Sequence, residues 1–452
     1  MRAKAGLTIL AAAVLAASSA STAQAPRPQT VARGPDLGDY SLVSNAMGER
    51  VLVVRRDISE DPAGLDVYTS PPGGKFGPAT KLRGATVPTD PIAAVGPDGT
   101  VAIIGTSRPE LTPTSGRFMA MVRPPGGRFE KPRRLGKTGV DEASVSFDRQ
   151  GTAMAIWTRD NPNSLASYVE VSARPPGGTW SKPSLIAYER RGAAEPQLAF
   201  DAAGGAVATW IRVGSPIKVE FLRGARPKRG RFEDEVVAAT RSPGGGFGHP
   251  QRISDPRFNA DEASLSVNSE GQAALAWVLN TKDDEHFRIG AAFREPDRPF
   301  GPARFLTPDG RDSFGASIAL DEQGRALLVW AIVGAHPDME TETNRILGAT
   351  RPPGGPLGKP IALSDRHAGF PATATALDGH AVVAWVRASR NGDLVQARRF
   401  TTSGAAGPVT QISRRGYSDT LETTIDPSGS AVMTWRGGGG NHERIQAAAF
   451  AP

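Results

Sequence analysis

Cysteine is absent from this chain of 452 residues. That excludes a disulfide framework and a lipid-modified N-terminal Cys, so stability has to come from the core. Helix signals are scarce, with 52 Gly and 38 Pro dividing the sequence into short runs. Long apolar stretches are missing too. The one apolar run, Ala5 to Ala17, follows basic Arg2 and Lys4, is too short to span a bilayer, and leads to small residues at Ala23-Gln24-Ala25. This is a secretory leader pattern, with cleavage expected after Ala23 or Ala25 and residues 26–452 left as a single domain. No apolar C-terminal tail offers an anchor, so release outside the cytoplasm, as a monomer, is the expectation.

Familiar catalytic and metal signatures are equally sparse. His442-Glu443 lacks a second His four positions on, and the six His show no ligand spacing. No Gly-x-Ser-x-Gly elbow and no Asp-x-Asp-x-Asp calcium loop occurs. Gly136-Lys137-Thr138 has the tail of a phosphate loop, but Lys131 stands where the upstream Gly belongs. No catalytic residue, metal or cofactor is expected on these grounds. The net charge of +7, or +5 without Arg2 and Lys4, is spread thinly. Nucleic-acid binding would call for clustered Lys/Arg with interleaved aromatics, so no nucleic-acid partner is expected.

What the chain does have is a repeat. Eight turn glycines (Gly48, Gly99, Gly151, Gly204, Gly271, Gly324, Gly379 and Gly429) each lie between two short β-type runs. A polar residue three positions earlier, as at Asn45, Asp148, Asp201, Asn268, Asp321 and Asp426, can cap the turn. The second run ends in Trp157, Trp210, Trp277, Trp330, Trp385 or Trp435, with Val54 and Ile104 near that place in the first two units. A third run leads into Pro-Pro-Gly-Gly or a relative, and a fourth carries Phe76, Phe129, Trp180, Phe247 or Phe300.

Four short strands in a unit of ~50 residues, repeated many times, predict an all-β protein, a β-propeller whose blades bury both sheet faces against their neighbours. The eighth unit stops after its third run, Arg444 to Phe450. The segment Pro28-Gln-Thr-Val31 parallels Pro250-Gln-Arg-Ile253, the fourth run of another unit. Eight four-stranded blades closed by this N-terminal strand are therefore predicted, with seven blades as the alternative should the first unit pack outside the ring. The pattern resembles secreted bacterial β-propellers built from degenerate sialidase-like or Kelch-like repeats. The likeness is architectural: a sialidase Asp box reads Ser-x-Asp-x-Gly-x-x-Trp, whereas here Asp148-x-x-Gly151 is followed by Trp157 further on.

Strand order puts the uniform turns on one face and the long, varied loops on the other, where binding residues usually sit. An Arg ends the third run in six units (Arg123, Arg174, Arg241, Arg294, Arg351, Arg399) and is expected to serve the scaffold on the uniform face. On the variable face, entry to the innermost strand is acidic at Asp39, Asp90, Asp141, Glu142, Glu195, Asp261, Glu262 and Asp419, with Gly315 and Phe370 in the remaining two units. In a closed ring these residues converge on one mouth of the channel. They either attract a cation, an amine or a basic side chain, or simply cap strand entries in water. The loop between Trp210 and Val236 carries a basic run at 213–235 that echoes an earlier unit, and either reaches over the mouth or is a worn duplicate. A binding scaffold for a protein, peptide or glycan is expected, the alternative being a sialidase-like glycoside hydrolase using Glu142, Glu195 and Glu262. The five Tyr show no evident link to the mouth, which weighs against the hydrolase.

Overall fold

The computed structural model describes residues 27–56, 64–88, 90–107, 116–214, 233–280, 286–307, 312–333, 344–376, 379–426, 428–438 and 442–451. The leader-like segment at 1–26 and residues 215–232 of the basic loop lie outside the described residues.

Strand identity follows from how each run is buried. In the third blade the second strand, Ala153–Asp160, is buried along all but its last residue. Its side chains alternate between two separate cores, as a period of two requires. Ala155 and Trp157 pack with Ala102, Ile104 and Phe118 of the preceding blade. Met154 and Ile156 pack with Leu198, Ala208 and Trp210 of the following one. A strand buried on both faces has no amphipathic stripe, and this explains the near-continuous apolar runs ending in Trp.

Eight four-stranded antiparallel sheets result, and eight apolar clusters each fill one boundary between adjacent sheets. The ring is an eight-bladed β-propeller. Blade 1 runs from Leu37–Ser44 on the channel through Arg50–Arg56 and Gly64–Ser70 to Thr80–Leu82 at the rim. The innermost strands of blades 2 to 8 are Ile92–Val95, Val140–Phe147, Ala193–Phe200, Asn259–Val267, Ser313–Leu320, Ala368–Thr375 and Ser418–Ile425. The first unit is thus a full blade, and the seven-blade alternative does not hold.

Closure is carried by the N-terminal strand. Gln29–Arg33 pairs antiparallel with Arg444–Phe450 as the outer strand of blade 8, Gln29 opposite Ala447 and Arg33 opposite Arg444. The Gln29 amide donates to Phe76 O at 2.7 Å and accepts from Phe76 N at 3.0 Å. Gln251 makes the same double bond with Phe300 at 3.0 Å each way. The parallel between the two Pro-Gln segments is therefore one of contacts as well as of sequence. A second tie crosses the boundary between blades 8 and 1, where Arg50 Nη2 meets Asp426 Oδ2 at 2.7 Å with both side chains buried.

The uniform face is held by its turns. Asp148, Asp201, Asp321 and Asp426 each accept the backbone N–H four residues on, at 2.7 to 3.1 Å. The turn glycines adopt φ of 73° to 87°, a conformation costly for any residue with a Cβ. Among the recurrent arginines, Arg294 donates to Gly271 O at 2.6 Å and Arg399 to Gly429 O at 2.7 Å, while Arg351 lies 3.9 Å above the Phe293 ring. These are scaffold contacts.

Candidate functional site at the channel mouth

The innermost strands are sheet edges, so their outward N–H groups have no ladder partner. Seven of the eight also break register near the variable face, at Leu37/Tyr40, Val140/Ala143, Ala194/Gln197, Asp261/Ser264, Phe314/Ser317, Gly369/Ala372 and Asp419/Glu422. Such bulges re-aim side chains, and the acidic positions other than Asp90 sit in them or directly beside them. Glu195 and Glu262 take left-handed φ of 51° and 50°, and Gly315 fills the equivalent place in blade 6 at 61°. A glycine there is unstrained, whereas each Glu costs about 1–2 kcal/mol of backbone energy.

The carboxylates stitch blade to blade. Glu142 accepts from Glu195 N, Glu195 from Ala263 N at 3.1 Å, and Glu262 from Gly315 N at 3.0 Å. Each caps an edge N–H of the next innermost strand. Four residues outside the expected set do the same deeper in the channel: Glu422 for Leu42 N at 2.5 Å, Gln197 for Leu265 N at 3.1 Å, Ser264 for Ile318 N at 3.2 Å and Ser266 for Leu320 N at 2.9 Å. Their only signal was polarity at alternate positions of an inner strand. Burial pushes the Glu422 carboxyl up to about 7, the Leu42 N–H opposing it. Glu195 is likewise pushed up to about 7, by burial first, then by its hydrogen bond with Asp261 and the charges of Asp261 and Glu142.

Asp39, Asp90, Asp141, Glu142 and Glu195 line one cavity of about 410 Å³, with Ile92, Phe118 and Val140 as its apolar part. It opens beside blade 2, whose innermost strand has four residues where that of blade 3 has eight. Gly105 holds the register place that Trp157 holds in blade 3, six residues past the turn glycine. A Cβ on Gly105 would stand 2.4 Å from Asp90 O, so the chain carrying Asp90 occupies the space a side chain would need. Arg55 pairs with two of these acids: its Nη1 lies 3.0 Å from Asp90 and 3.4 Å from Asp39.

Asp261, Glu262 and Asp419 belong to the mouth but not to this cavity. Asp419 accepts from the Tyr417 hydroxyl at 2.5 Å and lies 4.0 Å from Arg436. The Tyr40 hydroxyl donates to Thr420 O. Two tyrosines therefore do reach the mouth, contrary to the expectation from sequence, because each lies within three residues of a bulge. The hydrogen bond and charge of Asp419 raise the Tyr417 phenol above its ordinary value. Among the described residues no three carboxylates or imidazoles converge closely enough to hold a metal ion.

No family model matches the sequence, and no curated protein does. Among solved structures, a protein of unknown function from Dyadobacter fermentans is 12% identical, covering 69% of this chain and 94% of its own, with a TM-score of 0.43. A PL25 ulvan lyase is 8% identical over 79% of this chain and 91% of its own, TM-score 0.49. A Hadza microbial sialidase is 12% identical over 84% and 81%, TM-score 0.39. At these identities the likeness is one of architecture.

Proposed function

We propose that this propeller is a non-enzymatic binding module, working outside the cytoplasm, whose ligand places a cationic group in the channel mouth. The observation that carries this reading is the 410 Å³ cavity, lined by five carboxylates over an apolar wall, two of them, Asp39 and Asp90, paired with Arg55. A unit cation about 4 Å from one carboxylate gains about 4 kcal/mol at an effective dielectric near 20, and several acids share that role here. The apolar part suits the methylenes of a polyamine or a lysine side chain. The leader pattern at the N-terminus supports export.

Hydrolysis of a glycoside by the same carboxylates has one feature in its favour: Glu195, held up to about 7, is part-protonated at neutral pH as a general acid must be. Against it, the Glu195 carboxyl is hydrogen-bonded to that of Asp261. That is closer than the roughly 5 Å needed to seat a sugar between two carboxylates. Tyr417, with its phenol raised, is a poor nucleophile.

Titration calorimetry of the purified chain with spermidine and with poly-lysine tests the proposal. Replacing Glu142, Glu195 and Glu262 with Gln keeps an acceptor for every capped N–H while removing three charges. The expected result is a folded protein that binds roughly tenfold more weakly or worse. Unchanged binding by this variant would refute the assignment.

A further inference from the structure

A second cavity, of about 570 Å³, lies on the outer flank between blades 7 and 8. Its lining includes four arginines, Arg27, Arg414, Arg415 and Arg444, with Tyr417 and Gln446, and no carboxylate among the described residues. Glu443, next to Arg444 in sequence, lines an adjoining cavity with Arg33 and Arg444 itself, and its charge is one of those that raise the Tyr417 phenol.

The repeat shows how unusual this charge is. Where the rim strand turns inward, Ser254, Ser364 and Ser413 make one and the same contact. Their Oγ atoms accept from Val236 N, Ile346 N and Val395 N at 2.9, 2.8 and 2.8 Å. The next residue is Asp255 after the first of these serines, Asp365 after the second, and Arg414 after the third. In blade 5 that Asp neutralises its neighbourhood: Arg257 forks onto Asp255 with bonds of 2.6 to 3.1 Å. At the blade 8 entry the sign is reversed, and the remaining arginines gather around the reversed position. Arg415 donates to the Ser389 hydroxyl at 3.0 Å, a neutral acceptor, and has no ion pair among the described residues.

Like charges crowded at one cleft repel one another, and a multivalent anion relieves that repulsion. Guanidinium forks match carboxylate and sulfate groups in two-point contact. Tyr417, 55% exposed, is pinned at its hydroxyl by Asp419 and so presents its ring face as a rigid platform. A flat exposed ring beside cations and the amide of Gln446 fits a sugar ring bearing acidic groups. We propose that this flank is a binding site for an acidic polysaccharide, carrying uronate carboxylates or sulfate esters. It adjoins the mouth through the Tyr417–Asp419 contact but shares no lining residue with the acidic cavity.

The test uses the full chain with dextran sulfate, polygalacturonate, neutral dextran and duplex DNA, measured at low and high salt. We expect one or both acidic polymers to bind and neutral dextran not to. Binding of dextran sulfate alone would identify sulfate as the group read, and binding of both would show that a carboxylate suffices. Arg414→Asp, which restores the residue found at 255 and 365, should lose roughly tenfold or more while melting like the parent. Arg444→Gln should lose less, and supplies the readout if the first variant fails to fold. Tyr417→Ala should weaken the polysaccharide and spare DNA. The proposal is overturned if neither acidic polymer binds, if the arginine variants bind like the parent, or if DNA matches the polysaccharides and Tyr417→Ala changes nothing.

Discussion

Replacing Arg50 with Met should loosen the ring at its one boundary between chain ends. The Arg50–Asp426 pair is 2.7 Å long, with side chains 1% and 6% exposed, and joins residues 376 apart in sequence. Asp426 Oδ1 is already bonded to Ser428 N at 3.0 Å and Ser430 N at 3.1 Å, so Arg50 is what neutralises the charge on Oδ2. Removing a single partner strands a buried charge, which costs about 3–5 kcal/mol. Asp426→Asn should cost a similar amount, because its amide would face the donors of Arg50. The double variant removes both charges and keeps the turn cap. Arg50 Nε finds no hydrogen-bond partner, so part of the burial cost of the guanidinium is relieved at the same time. The double variant should therefore recover most of the loss, giving an interaction energy of about 2–3 kcal/mol in a double-mutant cycle. Chemical denaturation of the four proteins measures this. Single variants that cost under about 1 kcal/mol, or costs that simply add, would show that the pair is no clasp.

Four further outcomes are expected. Glu422, held up to about 7 by burial, binds more protons folded than unfolded between its ordinary 4.5 and 7; stability should fall as pH rises through that window and level off above it. Glu422→Gln, which still accepts from Leu42 N, should reduce that slope, leaving the share of Glu195, and melt above the parent at pH 8; an unchanged slope would show that Glu422 does not contribute to it. Deleting residues 27–33 leaves the Arg444–Phe450 edge unpaired, and should give aggregation by size-exclusion chromatography that a peptide of that segment reverses when added back. Trp330→Ala, at a site 1% exposed in the boundary between blades 5 and 6, should cost about 3–5 kcal/mol by denaturation. Gly204→Ala, at φ 86°, should cost about 1 kcal/mol or more, and a neutral result would mean that the turn relaxes.

How much of this was legible in the sequence depends on whether a residue serves its own blade or its neighbour. Gly151 and Asp148 act within one turn, and Trp157 is one of six tryptophans at the same register place, so the period of the chain exposes them. The closing strand was legible because Gln29 repeats the local context of Gln251, and the two make the same bonds to Phe76 and Phe300. Glu422 and Gln197 cap strands hundreds and tens of residues away, and no local pattern encodes which N–H they meet. Gly105 and Arg414 were hidden for the opposite reason. Each is a departure from the repeat, visible only once the contacts of Trp157 and Ser413 fix the frame against which it departs.

The capping contacts also change what the acidic mouth means. A ring of eight carboxylates facing open water would be a site made only of charge, and salt would screen it. Here Glu142, Glu195 and Glu262 each hold an edge N–H of the next blade, so their presence is explained before any ligand is invoked. A neutral acceptor would do that job as well: Gln197 and Ser264 do it deeper in the same channel. Glutamate at the mouth is thus more charge than the edge requires, and at Glu195 and Glu262 it is kept in a backbone conformation that suits glycine better. Strain combined with surplus charge, beside a cavity that also gathers Asp39, Asp90 and Asp141, supports the proposed binding role of the mouth. Glu262→Gly tests this directly. The change copies what blade 6 already has at Gly315. It removes the strain along with the charge, and should leave the melting temperature unchanged or raised while weakening spermidine binding. A variant that melts well below the parent would show that the carboxylate's contact with Gly315 N outweighs the strain, and the mouth would then be a capping device alone.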